Sequence, residues 1–139
     1  MMSQIETVQT FFARYCKHDL DGMLTMFAPG ARIDYVPLMM AGPVDETRRN
    51  IWSTLIDGFP DLSNRVTAMY SGDARRTVIA EVTITGPQSR DVLGIANRGQ
   101  SFSLPHLFIA RVDSQARIEF MRAYWDNAAF YAALAHAAP

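Results

Sequence analysis

The stretch FMRAYWDNAAFY, Phe120 to Tyr131, decides how the chain is read. Its first half alternates as a β-strand does, and its second half runs on as a helix, so the two meet near Asp126. An aspartate directly before a helical run such as NAAFYAALAHAA is a favoured N-cap, worth ~1 kcal/mol through the backbone N–H groups it accepts. The same carboxylate turned inward could serve as a base.

Strand pairing bears on that choice. If DSQA, residues 113–116, forms a hairpin with two or four loop residues, Val112 opposes Arg117, Phe108 opposes Met121 and His106 opposes Ala123. His106, Phe108, Ala110, Met121, Ala123 and Trp125 then share one face. Apart from the histidine that face is apolar, so it is expected to line a core or pocket, with Asp126 opposite or just past the strand. A three-residue loop would reverse the parity and bring Asp126 inward.

Working outward, Ile5, Val8, Phe12, Tyr15 and Cys16 recur at helical spacing over residues 3–18, with Glu6 three residues after Ser3 as a capping box. DLDGMLTMFAPG reads as a short helix from Asp19 stopped by Pro29 and Gly30, and ARIDYVPL as a strand. A third helix is expected over Asp45 to Asp57, closed by Gly58 and Pro60. Four strands follow: LSNRVTAMYSG, RRTVIAEVTITG, DVLGIANRGQSFSLPHLFIARV and ARIEFMRAYW. Helices followed by hairpin-linked strands make an α+β fold. Its expected form is a cone, a strongly curved antiparallel sheet with three N-terminal helices on one side and a pocket at the open end.

Composition narrows the function. The chain has 139 residues, 49% of them hydrophobic, which suits one domain over residues 1–139. A net charge of -1 with no basic run argues against nucleic acid or an anionic membrane as partner. The polar N-terminus MMSQIETVQTFF has no basic start with an apolar core, and no apolar run approaches ~18 residues, so a cytoplasmic protein is expected. Cys16 lies on an apolar helical stripe and is expected to be a buried thiol. No phosphate loop, G-x-S-x-G, C-x-x-C or H-E-x-x-H occurs. His18, His106 and His136 are far apart without a second ligand nearby, so no metal site is expected.

Taken in order, DLDGMLTMFAPGARIDYVP, then GFPDL, then GQSFSLPHLFIARVDSQARIEFMRAYWDNAAF resemble the nuclear transport factor two-like superfamily, and within it the SnoaL-like polyketide cyclases and ketosteroid isomerases. The resemblance spans nearly the whole chain. It implies a cone-shaped α+β domain, commonly a homodimer, with an apolar pocket and no cofactor. It places the isomerase's hydroxyl-donating tyrosine on Phe11, its general-base aspartate on Tyr35 and its protonated aspartic acid on Phe108, and it places the cyclase's aspartate base near Ala123. None of those positions carries the family's group.

Other residues must therefore carry any chemistry. His106 is a candidate acid or base, since an ordinary histidine titrates near ~6.5. Asp34 and Asp126 are candidate second carboxylates, although only one of Asp34 and Tyr35 can face the pocket. Tyr15, one helical turn beyond Phe11, or Tyr35 could donate a hydrogen bond to developing oxyanion charge. Trp52, Phe108 and Trp125 would shape the cavity, and Met40 in the run VPLMMAG would adapt to a greasy ligand from a rim loop. Glu81 reads as solvated or interfacial. The sequence thus supports a cofactor-free isomerase, cyclase or dehydratase acting on a hydrophobic carbonyl- or hydroxyl-bearing molecule, or else a non-catalytic domain that binds such a ligand or dimerises. Surplus apolar strand surface adds to the expectation of a homodimer.

Overall fold

Ser3 and Glu6 close a reciprocal capping box at the start of α1 (Gln4–Cys16), the Ser3 hydroxyl accepting from the Glu6 N–H at 3.2 Å. The computed structural model describes residues 2–72 and 76–135, with the side chains of 46–50 left out. Asp19 caps the short α2 (Leu20–Leu24), accepting from Gly22 N–H at 3.0 Å. β1 (Phe27–Tyr35), a 3-10 turn (Val36–Leu38) and β2 (Met40–Pro43) lead into α3 (Val44–Gly58). Then come β3 (Ser63–Gly72), β4 (Thr77–Pro87), β5 (Ser101–Val112), β6 (Ile118–Trp125) and α4 (Asn127–Ala135). Among the described residues no helix is long and apolar enough to cross a membrane.

The α+β class holds, with three corrections to the expected form. The six strands lie in the order β2-β1-β6-β5-β4-β3, and β1 runs parallel to β6, so the curved sheet is mixed rather than antiparallel. Hairpins dictate antiparallel neighbours, but β1 and β6 are far apart in sequence and no turn sets their relative direction. VPLMMAG is a 3-10 turn and an edge strand rather than an open loop, and the helical run after Asp126 forms α4 as its pattern predicts. Residues 91–100 do not extend β5 but form a loop with its own tight turn, bridged from Val92 to Ile95.

The β5–β6 register differs from expectation by two residues: His106 opposes Trp125, Phe108 opposes Ala123 and Ala110 opposes Met121. The loop closes with Val112 opposite Ile118, a shift of one, and an irregularity between Arg111 and Val112 adds the second. A slip of two keeps every side chain on its face, whereas a slip of one would invert the set. Phe108, Ala110, Met121 and Ala123 are accordingly buried together.

Against this inner face α1 lays Phe11, Phe12 and Tyr15, all essentially without exposure, and α3 lays Trp52. Phe12 meets Phe108 edge-on at 4.9 Å between ring centroids, and Phe11 lies 5.7 Å from Trp52. Each such side chain contributes roughly 1.5–3 kcal/mol of burial, so the aromatic layer between helices and sheet dominates the core. Gly58, at the end of α3, admits Val92 so closely that an added Cβ would lie 2.6 Å from the valine Cβ. The 88–100 loop is seated in that notch, and the Ser89 N–H donates to Gly58 O at 3.0 Å.

Candidate functional site

Alternation along β1 decides which acid or phenol looks inward. Ala31, Ile33 and Tyr35 are buried on the helix-covered face, and Asp34 therefore points to the outer one. There its Oδ2 accepts from Arg122 Nε at 3.1 Å. Asp34 is thus an ion-pair partner across β1 and β6, and the expectation that it serves as a base in the pocket is corrected by strand parity. Asp126 is corrected by its own capping role: its Oδ1 accepts from Ala129 N–H at 3.0 Å at the start of α4, on an exposed turn.

His106 does face inward, with 8% of its surface exposed. Its ring stacks on Trp125 at 5.0 Å and on Phe108 at 6.1 Å. Nδ1 lies 3.0 Å from the Leu104 carbonyl, which can only accept, so Nδ1 carries the proton. Nε2 is then the free lone pair of a neutral imidazole. Burial pushes the His106 pKa down to about 4, only partly opposed by the Leu104 hydrogen bond. At neutral pH the site holds an uncharged, weakly basic acceptor.

Donors come from two tyrosines. Trp52 Nε1–H, which can only donate, gives a 2.5 Å hydrogen bond to the Tyr35 hydroxyl oxygen. That leaves the Tyr35 O–H free to donate onward, and accepting a bond strengthens it as a donor. Burial holds both Tyr35 and Tyr15 well above the ordinary tyrosine range, so both stay protonated at any physiological pH.

Tyr15, Tyr35, His106, Phe108 and Trp125 meet around one cavity whose remaining wall is Leu55, Leu62, Ile84, Leu93, Phe102 and Phe130. Its free volume is about 20 Å³, room for one water and no more. Among the described residues no aspartate or glutamate lines it. Trp52 stands behind Tyr35 rather than on the wall, and Met40, opposite Tyr35 across β1 and β2, packs on the core without reaching the cavity. Leu93 escaped the sequence reading because its segment resembles a strand; the Leu-Gly pair between two β-branched residues was the available signal.

The remaining candidates fall elsewhere. Cys16 is exposed rather than buried, its Sγ 2.9 Å from the Asn64 carbonyl, because α1 turns that edge toward β3 and solvent. His18 Nε2 lies 2.6 Å from the Leu62 carbonyl, and His136 is outside the described residues. Among the described residues no three His, Cys, Asp or Glu side chains gather as a metal set.

A second concavity of about 430 Å³ opens on the outer face of the sheet, lined by Thr67, Glu81, Pro105, Leu107 and Tyr124. Val82, His106 and Trp125 also border it. Glu81 accepts from the exposed Tyr70 hydroxyl at 3.4 Å on this outer face.

A family model described as a SnoaL-like domain matches residues 8–121. Solved structures agree in fold. A proposed SnoaL-like polyketide cyclase from Jannaschia sp. CCS1 is 22% identical, covers 98% of this chain and 93% of its own, and superposes with a TM-score of 0.83. IdmH, a proposed polyketide cyclase from Streptomyces antibioticus, is 19% identical with coverage of 94% and 97% and a TM-score of 0.80. An NTF2-like protein from Burkholderia thailandensis E264 is 23% identical with coverage of 96% and 98% and a TM-score of 0.78. No curated protein matches the chain.

The buried imidazole should be visible in stability. Below about pH 6.5 the unfolded chain binds a proton at His106 that the folded chain refuses until about pH 4, so stability falls as pH drops through this window. The loss is on the order of 3 kcal/mol. Urea unfolding at pH 7 and pH 4 should show wild type losing that much more than His106→Phe; an equal loss in both proteins would refute the neutral buried histidine.

Proposed function

The chain belongs to the SnoaL-like domain family, and from that premise we propose that its inner cavity receives a small apolar molecule bearing a carbonyl or hydroxyl. The observation that carries the reading is that two tyrosines and a histidine, Tyr15, Tyr35 and His106, line an otherwise apolar cavity. Tyr35 O–H donates to the ligand oxygen, with Tyr15 O–H as a second donor, while His106 Nε2 accepts a hydrogen bond or a proton.

The chemistry this favours is cofactor-free proton transfer in an isomerisation or cyclisation. His106 Nε2 takes a proton from a carbon beside the carbonyl, Tyr35 steadies the charge that develops on oxygen, and the imidazolium returns the proton to another atom. An imidazole held near pKa 4 is a weak base, so the substrate must have an acidic C–H, such as one flanked by two carbonyls. Polyketide chains have that character, which accords with the proposed cyclase assignments of two fold neighbours. The lack of a carboxylate on the cavity wall among the described residues favours a second reading, retention of the ligand without turnover.

The outer face bears on assembly. Ile79, Leu107, Ile109 and Phe120 form a half-buried apolar row across β4, β5 and β6, with Tyr70 at 53% and Tyr124 at 39% exposure beside it. Glu81, Asp34 and Arg122 bring both signs of charge to the same patch, as a self-complementary two-fold contact requires. We propose a second copy as its occupant.

Three measurements test these readings. Prodan, an apolar aryl ketone whose emission moves to the blue on burial, should bind wild type and bind Tyr35→Phe about 5- to 10-fold more weakly, the worth of one hydrogen bond; equal affinities would contradict the donor role. Wild type should speed deuterium exchange at the central carbon of a bound 1,3-diketone and His106→Gln should not, whereas exchange at the buffer rate in both would favour binding without turnover. Light scattering should return twice the monomer mass of 15.6 kDa, and the monomer mass itself would exclude the dimer.

A further inference from the structure

A cavity of about 20 Å³ cannot admit the ligand proposed above, so part of its wall must move. Most of the wall is fixed: Ile84, Phe102, His106 and Phe108 belong to paired strands, and Tyr15 and Phe130 are buried on helices. The lining residues with appreciable exposure are Leu55, Leu93 and Trp125, and these mark the cavity's border with solvent. Leu55 sits on α3 and Trp125 ends β6, whereas Leu93 sits on an irregular loop.

The backbone at Leu93 is unusual. Val92 and Ile95 bridge around a two-residue turn in which Leu93 has φ +52° and Gly94 φ +75°. Positive φ at both central positions is the pattern of a type I′ turn, which prefers asparagine or glycine first. A leucine held there is strained, because its Cβ crowds the neighbouring carbonyl. The side chain that imposes this strain is the one that reaches the cavity.

The base of the turn is anchored and its tip is not. Gln88 Nε2 donates to Arg90 O at 3.0 Å and to Ile95 O at 2.9 Å, and Val92 fills the notch over Gly58. At the tip, the Leu93 carbonyl accepts from the Tyr131 hydroxyl of α4 at 3.1 Å, an exposed bond. An exposed hydrogen bond of this kind contributes little net stability, and thermal motion readily opens it.

We propose that Leu93 is the gate and the length-determining residue of the inner cavity: its side chain plugs the mouth, and an apolar ligand enters when the Val92–Ile95 turn swings away from Tyr131. A ligand longer than the closed cavity displaces the leucine and leaves its far end at the turn. This rests on the reading that the cavity binds ligand, but the plug itself can be tested without one.

Leu93→Asn places the residue the turn prefers and removes the plug, so the fold is retained while the mouth opens. Stopped-flow mixing with prodan should show uptake and release faster by at least about threefold in Leu93→Asn, and likewise in Tyr131→Phe, which lacks the tether. Independently of ligand, water admitted past residue 93 should raise the His106 midpoint, followed by ring NMR, from about 4 toward the ordinary histidine value. Unchanged uptake in both variants together with an unchanged His106 midpoint in Leu93→Asn would overturn the plug. A raised midpoint with no prodan bound by any of the proteins would support the plug and instead refute the cavity as a ligand site.

Discussion

The hydrogen bond from Trp52 Nε1 to the Tyr35 hydroxyl is the contact on which the site depends. It joins α3 to β1 inside an aromatic layer, with Phe11 and Phe27 each within 6 Å of the Trp52 ring centroid. An indole N–H buried in such surroundings without a partner costs about 1–3 kcal/mol, so the pair fixes where the helix rests on the sheet. It also fixes the direction of the phenol. Because tryptophan only donates, Tyr35 is left with its own hydrogen to offer.

The same strand parity that turns Tyr35 inward sends Asp34 out to Arg122. Where the resemblance to the ketosteroid isomerases implied a carboxylate base, this chain has Tyr35. On the proposed reading the basic function falls to His106, which is neutral, fixed in one tautomer by Leu104, and weakened as a base by its burial. A cavity with two donors and one feeble acceptor suits a ligand that already carries much of its own reactivity. On that reading the demand on the protein shifts from strong acid–base power to orientation and exclusion of water.

Much of this was legible in the sequence because alternation and capping are local rules. The S-x-x-E box, the third helix and the shared face of His106, Phe108, Ala123 and Trp125 followed from spacing alone, and a two-residue error in register left that face intact. What escaped were the non-local or conflicting features. The parallel pairing of β1 with β6 leaves no trace in either strand, and the exposure of Cys16 depends on how α1 lies against β3. Residues 91–100 misled because Val92, Leu93 and Ile95 have strand-like side chains, while only Gly94 signals the turn. Asp126 sat at an ambiguous junction, and the cap prevailed there because the first N–H groups of α4 need a partner.

The most direct measurement of the central claim is a crystal structure with an aryl ketone bound. The account predicts the ketone inside the sheet and helices, its carbonyl oxygen about 2.6–3.2 Å from the Tyr35 hydroxyl, with Leu93 displaced. A ketone seated instead in the outer concavity between Glu81, Leu107 and Tyr124, with the inner cavity still closed at about 20 Å³, would contradict it.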